Sequence, residues 1–151
     1  MQKQIKKVFY ADGLRFSCTR CSDCCRHEPG YVFLSESDLQ LLAKELKIQY
    51  TNINKMIDAY CRWVPVAEGQ KLSLKEKANF DCIFWQGGCT VYQSRPLQCR
   101  TFPFWETALR SPEAWKALSC PGAGRGELRS LEYIEDCLER RKAEPVMVRR
   151  A

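Results

Sequence analysis

The sequence predicts an α+β fold: a small single-domain metal-thiolate protein with short hairpins and several short helices around a cysteine cluster. Three observations predict it. Ten cysteines occur in 151 residues, and Cys18, Cys21, Cys24 and Cys25 fall within eight positions. Stretches of helical and of strand periodicity alternate along the chain, and each is short. Seven Phe, six Tyr and four Trp argue against disorder. One domain is expected over residues 1–143, long enough for its own core, followed by a flexible tail over 144–151.

Taken in order, Val8-Phe9-Tyr10 and Leu14-Arg15-Phe16 flank Ala11-Asp12-Gly13, a hairpin signal that leads directly into the first cysteines. Tyr31 to Leu34 reads as a short strand. Ser35 then stands as an N-cap with Asp38 in a capping-box position, and a helix is expected over Glu36 to Leu46. Ile53, Met56, Ile57 and Tyr60 share one helical face. That second helix begins near Asn52 and stops before Pro65, which leaves Arg62-Trp63-Val64 extended.

Lys71 to Lys75 alternates as a half-buried strand does. Cys82 to Trp85 and Cys89 to Tyr92, joined by Gln86-Gly87-Gly88, read as a second hairpin with the two cysteines near its opposite ends. Pro96 suits the first position of a short helix carrying Cys99, and Ser111-Pro112-Glu113 opens another. Gly122, Gly124 and Gly126 suggest a flexible turn. A last helix is expected from Glu127 to Lys142.

The formal charge is +6. Eight thiolates holding two divalent ions would cancel four of those six positive charges, so the basicity is a poor argument for nucleic acid. Met1 to Lys7 is charged and lacks an apolar signal-like run, and no stretch is long enough to span a bilayer. The expected compartment is the cytoplasm, where dense thiols mean metal more often than disulfides.

Cys18-x2-Cys21-x2-Cys24-Cys25 has the two-residue gaps that let thiolates turn to a common centre. The first three match the opening of a ferredoxin run, and Cys120-Pro121 echoes its close. Soft thiolates select zinc, copper(I) or iron–sulfur centres. With Cys82, Cys89, Cys99 and Cys120 the set numbers eight, which suits two four-ligand sites or one larger thiolate cluster. Cys61 and Cys137 read as packing residues. His27 reads as a solvated loop residue, although an imidazole there could also ligate zinc.

These cysteines, with Tyr92-x2-Arg95-Pro96-x2-Cys99-Arg100-x-Phe102-Pro103-Phe104 and Cys120-Pro121-Gly122, resemble the CxxCxxCC cysteine-cluster family of YkgJ-type zinc- or iron-chelating domains. The resemblance covers Phe16 to Gly122. It implies metal chelation by Cys18, Cys21, Cys24, Cys25, Cys82, Cys89, Cys99 and Cys120, and it brings no settled reaction. The arginine-proline-cysteine pattern also resembles part of the flagellin lysine methylases, but the chain has no glycine-rich nucleotide-binding turn. Arg95 and Arg100 are expected to donate to thiolates or backbone carbonyls around the metal. Phe102, Phe104, Trp85 and Tyr92 would form an apolar shell, with a base-stacking platform as the less favoured use.

Three roles follow. The first is a zinc- or iron-binding protein, with an iron–sulfur cluster as one form, in metal handling or electron transfer. The second is a structural zinc module that binds a protein, or less readily a nucleic acid. The third is an accessory enzyme in protein modification with an open metal position. No acid/base pair identifies a catalytic residue. The expected partners are a metal ion and a protein, with no membrane.

Overall fold

In a computed structural model that describes residues 7–19 and 30–150, the chain forms two units, each assembled from separated stretches. One comprises Met1–Cys21 and Pro103–Arg140, the other Ser22–Phe102 and Arg141–Ala151. Short helices and small antiparallel sheets make the protein α+β. No helix among the described residues is long and apolar enough to cross a membrane.

The second unit begins at a local signal. Ser35 is extended, its hydroxyl accepts from the Asp38 N–H, and the Asp38 carboxylate accepts from the Ser35 N–H. This reciprocal cap satisfies two backbone donors and starts α1 (Glu36–Glu45), which buries Leu39, Leu42 and Ala43. A single 3-10 turn, Tyr50–Asn52, leads into α2 (Ile53–Tyr60). The chain becomes extended at Cys61 and continues as β2 (Cys61–Val66). Pro65 fits there because β2 is the edge of a three-stranded sheet, where a missing N–H costs little.

β2 pairs antiparallel with β3 (Gly69–Leu74), from Cys61↔Leu74 to Val66↔Gly69. The other edge comes from the end of the chain. Val148 and Arg149 form β5 against Lys71 and Gln70, Val146 bridges Ser35, and the Met147 N–H donates to the Leu34 carbonyl at 2.8 Å. This stretch lies in the expected tail and has few packing side chains. Backbone pairing holds it together with Met147 against the core and Arg149 on Gln70 and Trp63, and a local side-chain pattern does not report such distant partners. Tyr31 to Leu34 makes one bridge, Phe33↔Ser73, on the same sheet. Leu34, Met56, Leu72, Leu74 and Phe84 lie in the core beneath.

The expected hairpin around Gln86 does not form. Residues 82–89 fold instead as a tight loop with isolated bridges Glu76↔Cys82 and Trp85↔Cys89. The Trp85 N–H turns back to the Cys82 carbonyl at 2.8 Å, which points Phe84 into the core, stacked on Tyr60 at 5.1 Å. Burying that ring outweighs a two-strand ladder that would stand alone in water.

In the first unit, β1 (Leu14–Phe16) pairs not with Val8–Tyr10 but with β4 (Ala123–Arg129). Asp12-Gly13 still turns the chain, and Gly13 has φ +88° with a Cβ position only 2.5 Å from the Arg129 carbonyl oxygen. The expected glycine-rich turn is therefore a strand, and the last helix starts at Leu131 rather than Glu127. Leu128, expected on the helical stripe, is exposed on β4. That helix, α6 (Leu131–Ala143), buries Ile134 and Cys137. Between the strands lie α4 (Glu106–Leu109) and α5 (Pro112–Lys116), the latter capped by Ser111 with Pro112 at its start, as expected. The fully buried Phe104 ring meets Phe16, Trp115 and Tyr133 at 5.7–5.8 Å.

Candidate metal centre

The first unit brings two candidate ligands to one ribbon. Phe16 pairs with Ala123, and just beyond, Ser17 lies against Gly122. A Cβ on Gly122 would sit 2.1 Å from the Ser17 carbonyl oxygen, so only glycine admits this approach. Cys18 follows Ser17 on one side of the ribbon, and Cys120 precedes Gly122 by two residues on the other. The Ala123 N–H donates to the Cys120 carbonyl, which closes the Cys-Pro-Gly turn.

The ribbon is tied by side chains as well. Ser17 Oγ accepts from the Glu127 N–H at 2.9 Å, Arg129 Nε donates to the Phe16 carbonyl at 3.1 Å, and Arg15 Nη1 donates to the Gly126 carbonyl at 3.0 Å. Cys18 is exposed and Cys120 half-buried.

In the second unit Cys99 rides on α3 (Leu97–Thr101), a single turn of helix. Pro96 is its N-cap, one residue earlier than expected, and carries no side-chain acceptor. Asp38 supplies one. Its Oδ1 accepts from the Leu97 N–H at 2.9 Å while its Oδ2 caps α1. One 3% exposed carboxylate therefore serves two helix N-termini, where backbone N–H groups and the helix dipole favour negative charge.

Gln98 makes the next connection. Its Oε1 accepts from the Phe33 N–H at 3.0 Å and its Nε2 donates to the Tyr31 carbonyl at 2.7 Å, replacing a strand partner with a side-chain amide. Arg95 Nε donates to the Tyr92 carbonyl and Arg100 Nε to the Arg95 carbonyl, both at 2.9 Å. Both arginines thus donate to backbone carbonyls of their own segment. The Arg95 guanidinium also lies 3.9 Å from the Tyr92 ring centre.

Cys82 and Cys89 lie in one loop and both pack against the core. Glu76, whose backbone bridges Cys82, accepts from the Gly30 N–H at 2.5 Å, and Arg62 donates to the Gly30 carbonyl at 3.2 Å. Gly30 is thereby fixed beside the isolated bridge at Cys82.

Cys21, Cys24, Cys25 and His27 lie outside the described residues. Among the described residues no three His, Cys, Asp or Glu side chains come close enough to hold a metal ion. No disulfide joins two described cysteines. Cys61 and Cys137 differ from the other described thiols. Both are 3% exposed. Burial pushes the Cys61 thiol up to about 12 against the opposing pull of Lys75, and burial followed by Asp136 raises that of Cys137. A buried thiol held in its neutral form is a packing group and a poor metal ligand. Cys82, Cys89, Cys99 and Cys120 are half-buried and Cys18 is exposed.

Sequence reasoning assigned Asp38 only the local cap and gave Gln98, Ser17 and Glu76 no role. Each acts on a residue far away in sequence, so no local spacing marks it. Gly122 carried a signal as the glycine after Cys120-Pro121.

Residues 17–121 match the family model CxxCxxCC, described as "Putative zinc- or iron-chelating domain". An uncharacterized protein of Methanocaldococcus jannaschii is 31% identical over 105 residues, covering 68% of this chain and 52% of the relative. The matched stretch therefore spans about half the length of this relative. No solved structure matches.

Proposed function

The chain belongs to the CxxCxxCC family of zinc- or iron-chelating domains, and from that premise we propose that it binds metal through eight thiolates: Cys18, Cys21, Cys24, Cys25, Cys82, Cys89, Cys99 and Cys120. The observation that carries this proposal is the closure of Ser17 onto Gly122. The family match runs from residue 17 to residue 121, and the ribbon stitches its two ends together with one cysteine beside each. The burial contrast supports the same set, since the two cysteines left out are the two deeply buried ones.

As zinc the metal would cross-link the chain, and as an iron–sulfur centre it would carry electrons. The chain's own residues fix the backbone beside two of these ligand positions: Gly122 and Ser17 at the ribbon and Glu76 at the Cys82 loop. The described sheets have two and three strands and three of the helices have five residues or fewer. With so little regular structure, metal and fold should be linked. Metal handling with a structural contribution is the function favoured, and electron transfer is its redox form.

Metal and acid-labile sulfide analysis, with a visible spectrum, on protein purified without oxygen tests this. Iron with sulfide and a brown colour selects electron transfer. Colourless protein with zinc and no sulfide selects the structural role. Protein that takes up neither metal under any loading condition overturns the proposal. Cys21→Ser and Cys24→Ser are each expected to lose metal and lower the melting temperature together, and a variant with full metal content and unchanged melting would count against them as ligands.

A further inference from the structure

The short helix α3 has no cap of its own, and what holds it comes from two other parts of the second unit. Asp38, on α1, accepts from the first N–H of α3 at 2.9 Å and is itself locked by the Ser35 N–H at 3.0 Å. Arg100, one residue after Cys99, approaches the same Oδ1 at 4.0 Å. Gln98, one residue before Cys99, clamps Tyr31 and Phe33 through both atoms of its amide. Inside the helix, Thr101 Oγ1 donates to the Leu97 carbonyl at 2.8 Å.

A five-residue helix is far below the length that holds itself together in water. Its orientation is set from outside. Those outside contacts fall on Leu97, Gln98 and Arg100, all within two residues of Cys99. We propose that Asp38 and Gln98 are positioning residues for Cys99, fixing the direction of its thiolate toward the metal. This rests on the chelation proposal above. Neither residue touches metal in this account. Asp38 holds α3 at its N-terminus, and Gln98 ties it to Tyr31 and Phe33.

The test is site-resolved alkylation of the zinc-loaded full chain by iodoacetamide, read by peptide mass spectrometry. In the wild type, zinc should protect Cys99, Cys18 and Cys120 relative to the metal-free chain. In Asp38→Asn and Gln98→Ala, Cys99 should react on the order of tenfold faster, while Cys18 and Cys120 keep their protection. Asn preserves the shape of Asp38 but loses one of its two acceptors, and Gln98→Ala leaves both helix caps in place.

A purely structural role would release all three thiols together, and that result overturns the proposal. Cys99 protected as in the wild type in both variants overturns it as well. If zinc protects none of the three in the wild type, the chelation proposal itself fails, so the two failures are distinguishable.

Discussion

The two regions that present candidate ligands are built by opposite means. The ribbon carrying Cys18 and Cys120 depends on the absence of side chains: Gly122, Gly126 and Gly13 each admit a backbone or Ser17 atom where a Cβ would lie 2.1–2.5 Å away. The helix carrying Cys99 depends on the presence of side chains, because Asp38, Gln98 and Thr101 each make hydrogen bonds that the backbone lacks. The first arrangement tolerates no added atom. The second tolerates reshaping but loses hold one hydrogen bond at a time. Their mutational profiles should differ accordingly.

Gly122→Ala should have the largest effect. The methyl has to displace the Ser17 carbonyl, at a cost of about 3 kcal/mol as severe overpacking. Hydrogen exchange should quicken at β1 and β4 while the β2–β3 amides keep their protection. Equal loss in both regions would break the comparison.

Thr101→Val keeps the shape of its side chain but removes the donor to the Leu97 carbonyl, for about 1 kcal/mol in chemical denaturation. No change in the midpoint would show that α3 does not need its internal bond. Ser17→Ala removes the acceptor for the exposed Glu127 N–H and should cost about 0.5 kcal/mol. A loss as large as that of Gly122→Ala would mean that the ribbon is held by side chains after all.

The titration of Cys61 adds nothing near neutral pH and shows only in alkali. Its folded thiol is pushed up to about 12, above the roughly 8.5 of an unfolded cysteine. The unfolded chain therefore releases this proton first, so the stabilising contribution is intact below about pH 8.5 and is lost as pH rises toward 12. Cys61→Ala should flatten that alkaline decline in a pH series of denaturation curves and leave metal content unchanged. Loss of metal in this variant would move Cys61 into the ligand set.

What could be read from the sequence follows the same division. The Ser35–Asp38 cap and the Ser111-Pro112 helix start were legible because both partners lie within four residues. The cysteine motif was legible as a family pattern, and residues 17–121 place the chain in that family. The β1–β4 pairing was not, because Asp12-Gly13 is a strong local hairpin signal and the true partner lies at the far end of the match. The glycines after Pro121 suggested looseness, whereas close approach is what they serve. The strand at Val148–Arg149 left no trace, since backbone pairing does not require the side-chain pattern that a reader of sequence follows. Asp38 shows both cases in one residue: its bond to Ser35 was visible, and its bond to Leu97 was not.

The ribbon also has a consequence for how the protein is made. Ser17 and Gly122 close a loop of roughly a hundred residues, which belongs to the slow, high-contact-order class of events. A ribosome delivers Cys18 about a hundred residues before Gly122, so the thiol waits without its ribbon partner while that stretch is synthesised. Arrested nascent chains that end before Ala123 should therefore leave Cys18 open to alkylation even with zinc present. If Cys18 is a metal ligand, loading at that end of the match follows synthesis of the partner strand.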